Sequence, residues 1–287
     1  MSLIPVTVII TTKNEEQNIA ACLKPLKAFD EMIVVDSNSR DRTKDIAKEH
    51  GALVHDFDWN GQYPKKRQWV LENIPTKYDR IFFVDADEVV TPELIREIAA
   101  LEWTNAGYFV QGQYRFDGQL LEHGLRNNKL VLFDKTKVEF PRVNDLDIVS
   151  MGEMEGHYQP VLKQAFQFLP LGQLENPMIH EAFEDAQKWQ ARHERYAEWE
   201  AGMNARNAWP KDPVEKREKM KQRFRKFPRR DVIAFLYSYI WKRGFLDGDA
   251  GFKFAKQRAQ YYRMISNAST AKAQPSSISI GKPERQL

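Results

Sequence analysis

The chain has 287 residues, with 43 Lys and Arg against 40 Asp and Glu for a formal charge of +3, and 42% of it is hydrophobic. That balance excludes an acidic solvating tail, a histone-like polycation and a wholly disordered chain, and it supplies a core for one large domain or two smaller ones. The single cysteine, Cys22, permits neither an internal disulfide nor a cysteine-based zinc site, and reads as a small buried residue.

The N-terminal residues carry no basic stretch before their apolar run and no small-residue cleavage site, so residues 6–11 read as a first strand and a cytoplasmic location is expected. Next comes an apolar-periodic helix on Ile19, Cys22, Leu23 and Leu26. Residues 32–35 form a second strand, broken by Asp36-Ser37-Asn38-Ser39. Asp41 or Ser39 then caps a helix that Gly51 closes. A third strand begins at Leu53, a helix covers residues 65–71, and residues 81–84 make a fully apolar strand. Thr91-Pro92-Glu93 starts another helix with a cap, a first-turn proline and an acid at the positive dipole end. Strands buried on both faces and separated by helices predict a mainly parallel sheet.

From residue 107 to about 140 the pattern turns to aromatic-rich strands punctuated by Asp117-Gly118 and Asn127-Asn128, which predicts antiparallel additions to the sheet. Four helices are expected at residues 184–203, 213–227, 231–245 and 251–265, followed by a disordered Ser, Ala and Pro tail from Ala268. The longest late apolar stretch, residues 232–241, is far short of the ~20 residues that span a bilayer.

Acidic groups gather at three predicted strand ends: Thr11-Thr12-Lys13-Asn14-Glu15, Asp36-Ser37 and Asp85-Ala86-Asp87-Glu88. In a parallel α/β sheet ligands sit beyond the carboxyl ends of the strands, so these places should be neighbours in space. Carboxylates two residues apart can share a magnesium or manganese ion that bridges to substrate phosphates, although an acid-x-acid triplet is also a common solvated turn. Signatures of dinucleotide-binding, P-loop, serine-hydrolase and zinc-protease chemistry are absent.

The segments Val8-Ile9-Ile10-Thr11-Thr12-Lys13-Asn14-Glu15, Ile33-Val34-Val35-Asp36-Ser37 and Phe83-Val84-Asp85-Ala86-Asp87-Glu88 resemble the inverting family 2 glycosyltransferases of GT-A fold. Within them the likeness is to the lipopolysaccharide-core β-glucosyltransferases of the WaaE/KdtX type and related exopolysaccharide enzymes. The resemblance implies a Rossmann-like mixed sheet flanked by helices, with a helical C-terminal region. Its catalytic domain would cover residues 1–180, the donor half to about 105 and the acceptor half from 106. A helical region at 181–267 and the tail from 268 would follow.

The resemblance further implies that Thr11, Lys13, Glu15, Asp36, Lys66, Arg67, Asp85 and Asp87 bind the nucleotide sugar. Asp85, Asp87 and His180 would hold Mg2+ or Mn2+. Exposed lysine and arginine are common, so the 65–67 cluster also reads as a solvated helix face. The expected general base is Glu155, then Glu153, with Asp145 and Asp147 behind them. The branch's usual Val-His-Glu triplet is absent from residues 151–160. His157 is a weaker candidate, and Trp189, Trp199 and Trp209 read as core rather than sugar-stacking residues.

Residues 211–230 hold ten basic and three acidic side chains, a net +7, beside the apolar 232–241 stretch. This pattern fits peripheral contact with the anionic inner face of the cytoplasmic membrane, where a lipid-linked or polysaccharide acceptor would receive sugar from a UDP-sugar. The alternatives are a membrane- or nucleic-acid-binding protein on a degenerate fold and a metal-dependent nucleotidyltransferase. No nucleic-acid recognition motif is present, so no nucleic acid is expected.

Overall fold

The computed structural model describes residues 2–148, 151–156, 158–181 and 186–273. The β-branched run beginning at Ile4 forms β1 (Ile4–Thr12), almost wholly buried, and each enclosed Ile or Val there contributes about 1.5–3 kcal/mol through burial. Helix α1 (Ile19–Leu26) buries Ile19, Cys22, Leu23 and Leu26, the stripe its spacing predicts. Then follow β2 (Phe29–Asp36), α2 (Thr43–Glu49), β3 (Leu53–Asp56), α3 (Lys66–Asn73), β4 (Arg80–Asp85), β5 (Glu88–Val90) and α4 (Pro92–Ala99). Thr91 caps α4, its hydroxyl accepting from Leu94 N at 3.2 Å, and Gly51 leaves α2 at a φ of 85°.

The second half supplies β6 (Gly107–Phe116), β7 (Gln119–Leu120), β8 (Asn127–Asp134), β9 (Val138–Glu139), β10 (Val161–Leu162), β11 (Leu171–Gln173) and β12 (Met178–Glu181). The main sheet runs β3-β2-β1-β4-β8-β6-β12-β5. Its first four strands are parallel, whereas β8 pairs antiparallel with both β4 and β6. Asp117 and Gly118, both at positive φ, turn β6 into β7. Asn127-Asn128 is not a turn; it opens β8, and the Asn127 carboxamide accepts from Gly112 N at 2.7 Å.

A helical layer completes the molecule: α5 (Ala186–Arg206), α6 (Glu215–Arg225), α7 (Arg230–Leu236) and α8 (Gly248–Ala273). A π-helical turn, Tyr237–Trp241, and a 3-10 turn, Gly244–Asp247, join the last two helices. Helix α8 continues beyond Ala268, where a disordered tail was expected, as far as Ala273; the rest of that tail lies outside the described residues. Of the tryptophans proposed for the core, Trp199 is fully enclosed and Trp189 is buried. Among the described residues no helix is long and apolar enough to cross a membrane.

Candidate active site

The register of the parallel strands brings the three acidic ends together. Thr12 lies opposite Asp36 across β1 and β2, and Thr11 lies opposite Asp85 across β1 and β4. The loops beyond β1 and β2 are laced by hydrogen bonds from Asn14 N to Ser39 Oγ, at 2.7 Å, and from Arg40 N to Asn14 Oδ1, at 2.9 Å. Asn14 and Asn38 both take left-handed backbone conformations, which asparagine adopts more readily than most residues. A cleft of about 430 Å3 opens here, between Lys13 and Asn14, Ser37 and Asn38, Phe57 and Trp59, and Glu153.

Asp36 does not line this cleft. It is fully buried and accepts from Thr12 Oγ1 at 2.8 Å, Ser39 N at 2.7 Å and Ser39 Oγ at 2.5 Å, so its oxygens organise the turn. Glu15 accepts from Asn18 Nδ2, and burial raises its pKa above the ordinary value.

The basic triplet at the start of α3 turns inward, not into solvent. Lys65 and Lys66 are buried, and Lys66 Nζ donates to Thr12 O at 3.0 Å and meets Glu153 at 3.7 Å. Burial lowers the Lys66 pKa. Arg67 donates to Asp85 Oδ1 at 2.6 Å, while Lys129, from the middle of β8, reaches Asp85 Oδ2 at 2.8 Å and Glu88 Oε1 at 2.5 Å. Burial would raise the Asp85 pKa, but Lys129 and Arg67 outweigh it and hold the carboxyl well below the usual range. Lys129 has no motif around it; its sequence signal is a cation just before the apolar run Leu130–Phe133.

Asp87 stands in the opposite condition. Burial pushes its pKa up, and the pull of His180 does not cancel the rise. Strand β12 places His180 opposite Glu88, with Nε2 at 3.7 Å from Asp87 Oδ2 and Nδ1 at 3.6 Å from Glu88 Oε1. Both distances are too long for hydrogen bonds, and among the described residues the buried Nδ1 has no hydrogen-bond partner. Burial opposes the imidazolium, yet Asp87 and Glu88 together hold the His180 pKa above its ordinary value.

A carboxylate and an imidazole left unbonded at this separation fit a divalent cation as two of its ligands. Asp85, engaged by two cations, does not offer the same free oxygens. Among the described residues no group of three or more His, Cys, Asp or Glu side chains could hold a metal ion, so other ligands would have to come from substrate and water.

Glu155 departs most from its expected role as general base. It is buried, and its two oxygens accept from Arg67 N and Gln68 N, each at 3.0 Å, so it caps α3 from a distant loop. Glu153 stands on the cleft wall. Asp145 is buried beneath Tyr63, Lys65 and Trp199, Asp147 pairs with Arg206, and His157 lies outside the described residues. The sequence reading passed over Glu181. Its backbone N–H donates to Asp87 O at 2.8 Å, and its half-buried carboxylate pairs with Arg115 at 3.1 Å. In sequence it directly follows His180, in Ile179-His180-Glu181.

Similarity to known proteins follows this geography. An uncharacterized glycosyltransferase of Rickettsia typhi is 39% identical over 94 residues, 32% of this chain and 31% of that protein. The chain therefore matches about a third of such relatives' length. Glucosyl-3-phosphoglycerate synthase of Mycobacterium tuberculosis, solved with Mn2+, UDP and glucosyl-3-phosphoglycerate, is 25% identical, covering 39% of this chain and 44% of that one, with a TM-score of 0.29. S. aureus TarS covers 95% of this chain and 93% of its own at 16% identity and a TM-score of 0.43. The model of glycosyl transferase family 2 matches residues 7–167, more than half of the chain, and with the mixed sheet and helical C-terminal region of the GT-A fold this protein belongs to that family of glycosyltransferases.

Proposed function

We propose that the protein transfers a sugar, with inversion, from a UDP-sugar to a lipid-linked or polysaccharide acceptor of the lipopolysaccharide or exopolysaccharide kind. The observation that carries the reading is a cleft holding aromatic rings, Phe57 and Trp59, beside the ends of β1 and β2, together with the Asp87 and His180 pair just beyond β4 in the same sheet. Aromatic walls suit a nucleobase, and the backbone groups and cations around Lys13 and Arg40 suit a nucleotide. Uridine as the base comes from the sequence resemblance.

In this reading Asp87 and His180 would hold a divalent cation, whose charge would stabilise the negative charge growing on the departing diphosphate. The acceptor hydroxyl forms its bond to the anomeric carbon as the sugar–phosphate bond breaks, and the bonding electrons leave with the diphosphate. Glu181, next to Asp87 on the acceptor side of the sheet, takes the hydroxyl proton as general base. Glu155 acts as a positioning residue by fixing the end of α3, from which Arg67 and Lys66 reach the donor side. Arg67 and Lys129 keep Asp85 ionised and in place for the ribose.

Thermal-shift screening of nucleotide sugars with manganese tests the proposal. Stabilisation by UDP-sugars that depends on manganese is the expected result. Stabilisation by nucleoside triphosphates alone would overturn it in favour of a nucleotidyltransferase.

A further inference from the structure

Only the end of the basic segment borders the exposed apolar surface. Along residues 211–230 many of the cations are spent internally: Lys221 and Arg217 on Asp212, Lys219 on Glu215, Arg225 on Glu218, and buried Arg230 on Glu200. The apolar surface lies just beyond, at the corner from α7 to α8. Val232, Leu236 and Ile240 follow one another at a four-residue spacing, hence on one helical face, and all are exposed. Trp241 beside them is 77% exposed, and Phe245 and Leu246 on the 3-10 turn are exposed as well. So large a cluster of uncovered apolar side chains marks an interaction surface rather than ordinary scatter.

The corner is held rigidly against the sheet. Buried Asp247 accepts from Glu122 N at 3.1 Å and His123 N at 2.8 Å, and Gly124 N donates to Lys242 O at 2.9 Å. Phe252 of α8 packs on Phe235 and Tyr239, which joins the two helices behind the apolar face. Its charge is one-sided. Lys226, Lys242 and Arg243 are exposed, against exposed Glu122, which accepts from Gln113; Asp231 pairs with Arg229 and Arg263, Asp247 is engaged as above, and Asp249 pairs with Lys253.

We propose that this α7 to α8 corner docks the protein onto an anionic lipid bilayer, with Trp241, Ile240 and Leu246 entering the headgroup boundary and the flanking cations meeting the lipid phosphates. Apolar side chains ringed by Lys and Arg are the chemistry that an in-plane contact requires. A second copy on the same face would bring two cationic rims together, a like-charge juxtaposition that works against it. The backbone bonds to residues 122–124 place the corner beside the β7 to β8 loop, in the acceptor half, so docking would present that half to the lipid. The inference thus bears on the lipid-linked acceptor proposed above. Its test uses neither donor nor acceptor, so either reading can fail alone.

The test is co-sedimentation of the full chain with vesicles of phosphatidylcholine, with and without phosphatidylglycerol. Binding to the anionic vesicles only, weakened by salt, is the expected result. The double variant Ile240→Ser with Trp241→Ser should bind about tenfold more weakly or less, at an unchanged melting temperature. Should that variant misfold, Lys226→Glu with Lys242→Glu, both on exposed side chains, should show the same loss. Absence of wild-type binding, or equal binding by the folded variants, overturns the proposal. A dimer in light scattering that Trp241→Ser dissolves, without vesicle binding, assigns the face to a second copy instead.

Discussion

Asp87 and Asp85 are two residues apart and nonetheless do different work. Asp85 is saturated by Arg67 and Lys129, whereas Asp87 has only the His180 ring at 3.7 Å. Asp87→Ala should therefore reduce divalent-dependent transfer by ~100-fold or more with little change in melting temperature, since no hydrogen bond of the fold is lost with it. Unchanged turnover would remove Asp87 from the metal site. The two glutamates separate in the same way. Glu181→Gln should keep donor binding and lose transfer, as expected of a proton acceptor. Glu155→Gln should instead lower stability by about 1–2 kcal/mol in urea unfolding, because a charged acceptor of two backbone N–H groups is replaced by an amide. An inactive but fully stable Glu155→Gln would return the base to Glu155.

At the scale of elements, the donor side depends on how α3 is anchored. Lys65, just before its first turn, donates to Asp145 Oδ2 at 2.6 Å, and Trp199 of α5 donates to the same oxygen at 2.8 Å. Tyr63 donates to Asp145 Oδ1 at 2.8 Å. A single buried carboxylate thus ties α3, the 143–148 loop and α5 into one unit. Lys65→Met should cost about 3–5 kcal/mol, measured by chemical unfolding, because it leaves that carboxylate enclosed without its counter-charge. A loss below about 1 kcal/mol, the range of a surface pair, would show that the network is not stabilising.

Across the whole molecule, the helical layer is closed by Glu200 of α5, which meets Arg230 of α7 at 3.2 Å and accepts from Tyr261 of α8 at 3.1 Å. Burial raises the Glu200 pKa above its ordinary 4.5, the attraction of Arg230 notwithstanding. The folded state therefore binds this proton more tightly than the unfolded chain does. Its stabilising contribution is full below the ordinary glutamate value and is lost as pH rises through the higher folded value. Glu200→Gln cannot ionise, so its stability relative to the wild type should rise with pH across that window in urea titrations at a series of pH values. A pH-independent difference would mean that Glu200 titrates as an ordinary glutamate.

Strand and helix order in the first hundred residues, the neighbouring acidic strand ends and the capped α4 were legible in the chain, because hydrophobic period and local capping chemistry act over a few residues. So was the family, since its motifs are short contiguous segments. The middle was less legible. Asn127-Asn128 carries turn chemistry, but pairing with β6 makes it strand; tertiary hydrogen bonds overrode the local preference.

The site divides along the same line. Sequence by itself determined which carboxylates lie at strand ends, that Cys22 and Trp199 belong to the core, and that charge concentrates in residues 211–230. Only the tertiary structure decided which of those charges face a partner. It turned Lys65 and Lys66 inward, gave Asp85 to Lys129 from a distant strand, committed Glu155 to the end of α3, and brought Glu181 beside Asp87. The physical reason is range: periodicity and capping are set by neighbours along the chain, whereas a charge's role depends on desolvation and counter-charges that arrive from far away in sequence.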